Sequence, residues 1–154
     1  MLNLTSPAFS DGGPIPRAHT CDGADMSPPL TITGVPDGAK ELALIVDDPD
    51  APAGVWTHWV LYKVPCTTSV LAPGIAKEAE LSAPLGARQG ANDSRRIGWG
   101  GPCPPKGRPH HYAFTLYALD LELDVPPGAT KAVLLAAIEG KVIAEAKLIG
   151  TYGR

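Results

Sequence analysis

Gly100-Gly101-Pro102-Cys103-Pro104-Pro105-Lys106-Gly107-Arg108-Pro109-His110-His111-Tyr112 is the stretch on which the reading of this chain turns. Its first ten residues are a loop by composition. Glycines at 100, 101 and 107 let backbone N–H groups come close to a ligand, and prolines at 102, 104, 105 and 109 remove most of the loop's freedom before anything binds. The period then changes. From His110 to Asp120 the residues alternate, with His110, Tyr112 and Phe114 on one face of a strand and His111, Ala113 and Thr115 on the other. A rigid loop therefore delivers two polar rings, His110 and Tyr112, that point the same way.

Upstream, Leu42-Ala43-Leu44-Ile45-Val46 is a continuous apolar run, too short for a helix and bounded by turn signals, which suits a strand buried on both faces. It runs into the acidic turn Asp47-Asp48-Pro49-Asp50-Ala51-Pro52-Ala53-Gly54. A second strand follows from Trp56 to Val64. Strict alternation would place His58, Val60, Tyr62 and Val64 on one face and Thr57, Trp59, Leu61 and Lys63 on the other. Leu30 to Thr33 alternates too, and a hairpin-like return is expected after the Pro36-Asp37-Gly38 turn. Residues 1–29 hold little regular pattern, and their most distinctive piece, Cys21-Asp22-Gly23-Ala24-Asp25-Met26-Ser27-Pro28-Pro29, reads as a fixed loop.

Residues 65–99 defeat every periodicity, so the segment is functional or contains short strands. Downstream, Thr130 is placed to cap a short helix with Val133, Leu134, Ala137 and Ile138 as its apolar stripe and Gly140 as its end. From Val142 a terminal strand is favoured, with Glu145 and Lys147 opposite Ala144, Ala146 and Leu148.

Composition sets limits on this outline. A chain of 154 residues, 44% of them hydrophobic, builds one core and one domain, 1–154. Seventeen glycines and seventeen prolines are nearly twice the roughly 12% average, and their spread through apolar runs favours short strands joined by turns. The fold class expected is mostly β, an antiparallel β-sandwich with one or two short helices. At about 5–6% cis per X-Pro bond, about one cis peptide is expected. No run approaches the ~20 apolar residues of a membrane span, and Met1 to Ser10 lacks the pattern of a signal peptide, so no stable membrane insertion and a cytoplasmic location are expected. A formal charge of −3 argues against nucleic acid as a partner. Arg88, Arg95, Arg96, Lys106 and Arg108 nevertheless cluster near the opening stretch, as a solvated loop or an anion-attracting rim. The three cysteines, Cys21, Cys66 and Cys103, have no metal-site spacing. A bridge between the Cys21 and Cys103 loops and three free thiols both stay open.

The chemistry-bearing residues are Asp48, His58, His110 and Tyr112, each at a strand end or on a strand face beside a Pro/Gly-rich loop. Imidazole N–H, phenol O–H and free loop N–H groups are donors, and a carboxylate beside an imidazole fixes its tautomer or holds it protonated. That set suits an oxyanion, phosphate or carboxylate. If both imidazoles must be cationic, binding weakens as pH rises through the histidine range. Each histidine taken alone is more often a hydrogen-bonded structural residue. A metal site drawn from Asp48, His58, Cys103 and His110 lacks zinc spacing. A hydrolase lacks a Gly-x-Ser-x-Gly elbow, although Cys103 with His110 would supply a nucleophile and a base.

These motifs together, Asp48-Pro49-Asp50-Ala51-Pro52, Trp56-Thr57-His58-Trp59 and Gly101-Pro102-Cys103-Pro104-Pro105-Lys106-Gly107 before His110-His111-Tyr112, resemble the phosphatidylethanolamine-binding protein family, also called Raf kinase inhibitor-like, in its bacterial and archaeal branch. The likeness runs from about Phe9 to Tyr152, and includes Gly90-Ala91-Asn92-Asp93 and Gly150-Thr151-Tyr152. The resemblance implies a β-sandwich with a small pocket for phosphate-like groups, lined by Asp48, Pro52, His58, Gly101, His110 and Tyr112. His111 stands where many relatives have Arg. The chain ends at Arg154 without the C-terminal helical extension of animal members, so kinase inhibition and membrane association are not carried over.

The function expected is a non-enzymatic binding protein for a phosphate-bearing ligand or phosphorylated group, able to regulate a protein partner such as a kinase or protease. It has no cofactor, no metal and no assigned catalytic residue. A small hydrolase or phosphotransfer enzyme is the alternative, and the oligomeric state is left open, with a homodimer as one option.

Overall fold

In the computed structural model, which describes residues 1–154, nine antiparallel strands form two sheets. The small sheet orders β1 (Asn3–Thr5), β2 (Leu30–Thr33) and β5 (Val70–Leu71). The large sheet runs β6 (Glu80–Ser82), β7 (Leu85–Gln89), β4 (Trp56–Pro65), β3 (Glu41–Asp48), β8 (His110–Leu119) and β9 (Val142–Tyr152). The single α-helix, α1 (Lys131–Ile138), lies on the outer face of the large sheet.

The apolar run in β3 is where both faces of the large sheet become legible. Leu42, Leu44 and Val46 enter the core between the sheets, with Leu4, Leu30, Ile32, Trp59, Trp99 and Phe114. Ala43 and Ile45 face the other way, into a second core with Val60, Tyr62, Leu134 and Ile138. A strand covered on both sides needs no polar alternation, which is why this one reads as continuous hydrophobe. Its two neighbours, β4 and β8, complete the rigid centre of the sheet.

Strict alternation fails in β4 at two places, and both matter. Val46 pairs with Trp59 but Asp47 pairs with Thr57, so His58 is an extra residue, a β-bulge. Thr57 is thereby rotated to the helix side, where its hydroxyl donates to Asp47 Oδ1 at 2.8 Å, and Asp47 Oδ2 in turn holds Lys131 Nζ at 2.7 Å. The second break is at Lys63, whose φ of 53° is left-handed. It exchanges the expected faces: Val64 enters the sandwich core, and Lys63 reaches Glu41 and the Leu123 carbonyl.

Other expectations meet the structure directly. The hairpin-like return after Pro36-Asp37-Gly38 is instead a crossing between sheets, because β2 pairs with β1 and β5 while β3 pairs with β4 and β8. Residues 65–99 contain the three short strands β5, β6 and β7, and the bond Ala83–Pro84 is cis. Helix α1 is capped by Thr130, whose side chain accepts from Val133 N, worth about 1 kcal/mol. Gly140, at φ 75°, follows its end. Val133 is exposed and leaves the apolar stripe to Leu134, Ala137 and Ile138. Strand β9 is longer than its alternating part. Its C-terminal end is tied down by residues 12–15, through bonds such as Ile15 N–H to the Thr151 carbonyl at 2.7 Å.

Candidate functional site

At the end of the sandwich where β3, β4 and β8 meet two loops, a cavity of about 710 Å³ opens. This lies within the roughly 300–1,000 Å³ of small-molecule sites. Asp48, Pro52, His58, Gly101, His110 and Tyr112 all line it. Alternation along β8 carries His110 and Tyr112 to the same side, while the even positions of β3 bring Asp48 there. The bulge brings His58, which strict alternation would have sent to the helix side.

Every polar side-chain atom sealed in the floor has a defined partner, with one exception. Asp48 Oδ2 accepts from His110 Nδ1 at 2.7 Å, and Asp48 Oδ1 accepts from Asp50 N–H at 2.7 Å. His58 and Gly100 exchange two bonds: Gly100 N–H donates to the His58 carbonyl at 3.0 Å, and His58 Nδ1 donates to the Gly100 carbonyl at 2.6 Å. The exception is the Tyr112 hydroxyl, which is buried and has no hydrogen-bond partner. Burial, and then the carboxylates of Asp48 and Asp50, push its ionisation well above the usual phenol range, so it remains an O–H donor. The Tyr112 ring meets the His58 ring edge-on at 5.2 Å. A buried donor left unpaired costs about 1–3 kcal/mol, so this one is an incentive for whatever enters.

The wall opposite is built from loop residues 19–25 and 99–105. Cys21 and Cys103 are joined in a disulfide with Cα atoms 5.4 Å apart, and Cys66 is free. Three further links run beside it: Cys21 N–H to the Pro102 carbonyl, Trp99 Nε1 to the His19 carbonyl, and Gly101 N–H to Asp25 Oδ1 at 2.8 Å.

Two expectations are corrected by this wall. The loop glycines do not offer their N–H groups to a ligand: those of Gly100, Gly101 and Gly107 are spent on His58, Asp25 and Arg154. Gly101 is needed for close packing, since a Cβ there would collide with Asp25 Oδ1 and the His19 carbonyl. Nor does the basic cluster form a rim. Of its five members only Arg96 lines the cavity, Arg88 donates to the Val125 carbonyl, and Lys77 supplies a cation that the sequence did not single out. Asp25 and the Gly100 carbonyl were missed as well. Their signal was faint, an Asp in the loop that also carries Cys21 and a glycine before a proline-rich run. Cys103, weighed as a nucleophile, is held as a disulfide.

The electrostatics also separate the two imidazoles. His58 is driven below the ordinary histidine range by burial, against the opposing pull of the Gly100 carbonyl, Asp48, Asp47 and Asp25. A floor with both rings cationic is therefore disfavoured. His110 alone has a carboxylate as its direct partner.

The family model for phosphatidylethanolamine-binding protein matches residues 5–153. A UPF0098 protein of Methanothermobacter thermautotrophicus is 53% identical over 153 residues, covering 99% of each chain. Among solved structures, a phosphatidylethanolamine-binding protein homologue of Chlamydia trachomatis superposes with a TM-score of 0.90 at 44% identity, covering 99% of this chain and 97% of the other. E. coli YbcL gives a TM-score of 0.91 at 35% identity, covering 99% and 98%. The chain belongs to the phosphatidylethanolamine-binding protein family, in its bacterial and archaeal branch, and by that membership is a binding protein.

Proposed function

We propose that the cavity holds the phosphate of a small ligand, or of a phosphorylated side chain on a protein partner, without turning it over, and that occupancy regulates the partner. The observation that carries this reading is the Tyr112 hydroxyl, a buried donor with no partner beside a cavity that also receives two imidazoles. An oxyanion supplies the acceptor it lacks. Lys77 and Arg96 on the cavity wall add attraction for an anion.

Calorimetric titration with inorganic phosphate and phosphorylethanolamine, run beside His110→Ala, tests it. Saturable binding by the wild type that falls at least about tenfold in the variant supports the reading. Absence of saturable binding overturns it.

One feature favours a second reading, a small hydrolase or phosphotransfer enzyme. His110 Nδ1 is bonded to Asp48 at 2.7 Å and its Nε2 has no protein partner, an arrangement that suits a general base. Phosphoester turnover lost in His110→Ala would select it over binding alone. For location we keep the cytoplasm, and thiol labelling of Cys21 and Cys103 in cells tests it, since disulfides are uncommon there outside hyperthermophiles.

A further inference from the structure

We infer that the cavity reads the proton on its ligand: it takes a phosphomonoester or inorganic phosphate that carries one P–OH group, in preference to sulfate or a phosphodiester, which carry none. The inference rests on the anion reading above and adds a rule of selection to it.

The geometry around His58 sets that rule. The Gly100 carbonyl can only accept, so the hydrogen bond at 2.6 Å places the ring proton on Nδ1 and leaves a lone pair on Nε2. Nε2 has no protein partner and is not sealed in the interior, so it opens toward the cavity that His58 lines. Tyr112, whose ring meets that of His58 edge-on at 5.2 Å, carries an O–H in want of an acceptor. The floor thus presents one acceptor and one donor. A fully deprotonated oxyanion satisfies the donor but turns an oxygen lone pair toward the lone pair of Nε2. A singly protonated phosphate satisfies both, accepting from Tyr112 and donating its P–OH to His58.

The protein's other route is to protonate His58 itself. The titratable groups around the ring are Asp48 of β3, Asp25 of the 19–25 loop, and His110 and Tyr112 of β8, with Lys77 and Arg96 farther round the wall and Asp47 acting from the helix side of the sheet. The three carboxylates favour an imidazolium and burial opposes it, and burial is the larger effect. His110 differs in that its Nδ1 partner is the Asp48 carboxylate and not a backbone carbonyl. His58 is therefore the ring that asks the ligand for a proton.

Calorimetry with methyl phosphate, sulfate and dimethyl phosphate, each in two buffers of different ionisation enthalpy, separates the outcomes. Near pH 6 methyl phosphate is expected to bind about tenfold or more tighter than the other two. From about pH 6 to about pH 8, as the monoester loses its one remaining P–OH proton, its affinity falls by up to about tenfold per unit, and proton uptake approaches one per monoester bound.

His58→Gln places an amide near the Nε2 position that donates or accepts without a second proton. In this variant the affinities for methyl phosphate and sulfate are expected to converge to within about twofold, whatever their absolute level. If that variant does not fold, the wild-type ratios and proton counts decide. Sulfate binding within about twofold of methyl phosphate, or a pH dependence shared by the two anions, would place the proton on the protein alone and overturn the inference while leaving the anion reading intact. No binding of any of the three overturns both.

Discussion

Two Asp–His pairs leave the same acidic turn for the same strand, and they are nearly identical in length. His110 Nδ1 lies 2.7 Å from Asp48, and His111 Nδ1 lies 2.8 Å from Asp50. The side chains of the first pair are 13% and 5% exposed, those of the second 58% and 42%. One step along β8 moves an imidazole from the cavity to open water, because successive residues of a strand face opposite ways. Distance is therefore a poor guide to what a pair does here. The inner pair is held in a partly desolvated floor where removing one member strands the other. The outer pair is screened by solvent, and its chief effect is on Asp50 itself, whose acidity is strengthened first by the His111 side chain and then by the His111 backbone N–H.

Substitution of the carboxylates breaks the comparison most sharply. Asp48→Ala is expected to cost about 1.5–3 kcal/mol in urea unfolding, since it removes the partner of His110 and the acceptor of Asp50 N–H. A further difference appears on acidification of the ligand-free protein. His58 has a folded-state pKa depressed below its unfolded value of about 6.5. Its contribution is thus fully present above about pH 6.5 and is lost as pH falls toward the folded-state value, because the unfolded chain takes up the proton first. Thermal melts of the wild type should decline over that range, and His58→Gln should flatten the decline.

Asp50→Ala is expected to cost less than about 1 kcal/mol by the same urea measurement. The smallest effect falls on Tyr112→Phe. Deleting an unpaired buried hydroxyl leaves the empty protein unchanged or more stable by up to about 1 kcal/mol, while phosphate binding weakens. A large loss of stability in this variant would mean that the hydroxyl has a partner in the absence of ligand.

Much of this was legible from the chain, for reasons that differ by residue. His110 and Tyr112 could be placed on one face because β8 keeps a strict period of two from one end to the other, and β3 could be recognised because it is apolar on both faces. Thr57, His58, Lys63 and Val64 were assigned to the wrong faces of β4. Alternation carries no mark of an inserted residue, and the bulges at His58 and Lys63 show only in the pairing with β3. The Gly101 N–H could not be assigned from the loop either, since its acceptor, Asp25, is 76 residues away in sequence. The Cys21–Cys103 pairing stayed open because cysteine spacing alone does not distinguish a bridge from two free thiols. Local pattern determined elements and faces, and the wall of the cavity, made almost wholly of long-range contacts, lay outside its reach.

The Cys21–Cys103 bridge also changes what a break in the chain means. It closes a ring with a sequence separation of 82 residues that contains β2 through β7, and the exposed stretch Ala72–Gly74 lies inside that ring. A single proteolytic cut at Ala72–Gly74 leaves two fragments still covalently joined, with Asp48 and His58 on one and His110 and Tyr112 on the other. The nicked molecule would run as one species on a non-reducing gel and as two after reduction. Each half of the cavity floor thus stays tethered to the other, whatever happens to the peptide backbone at that loop.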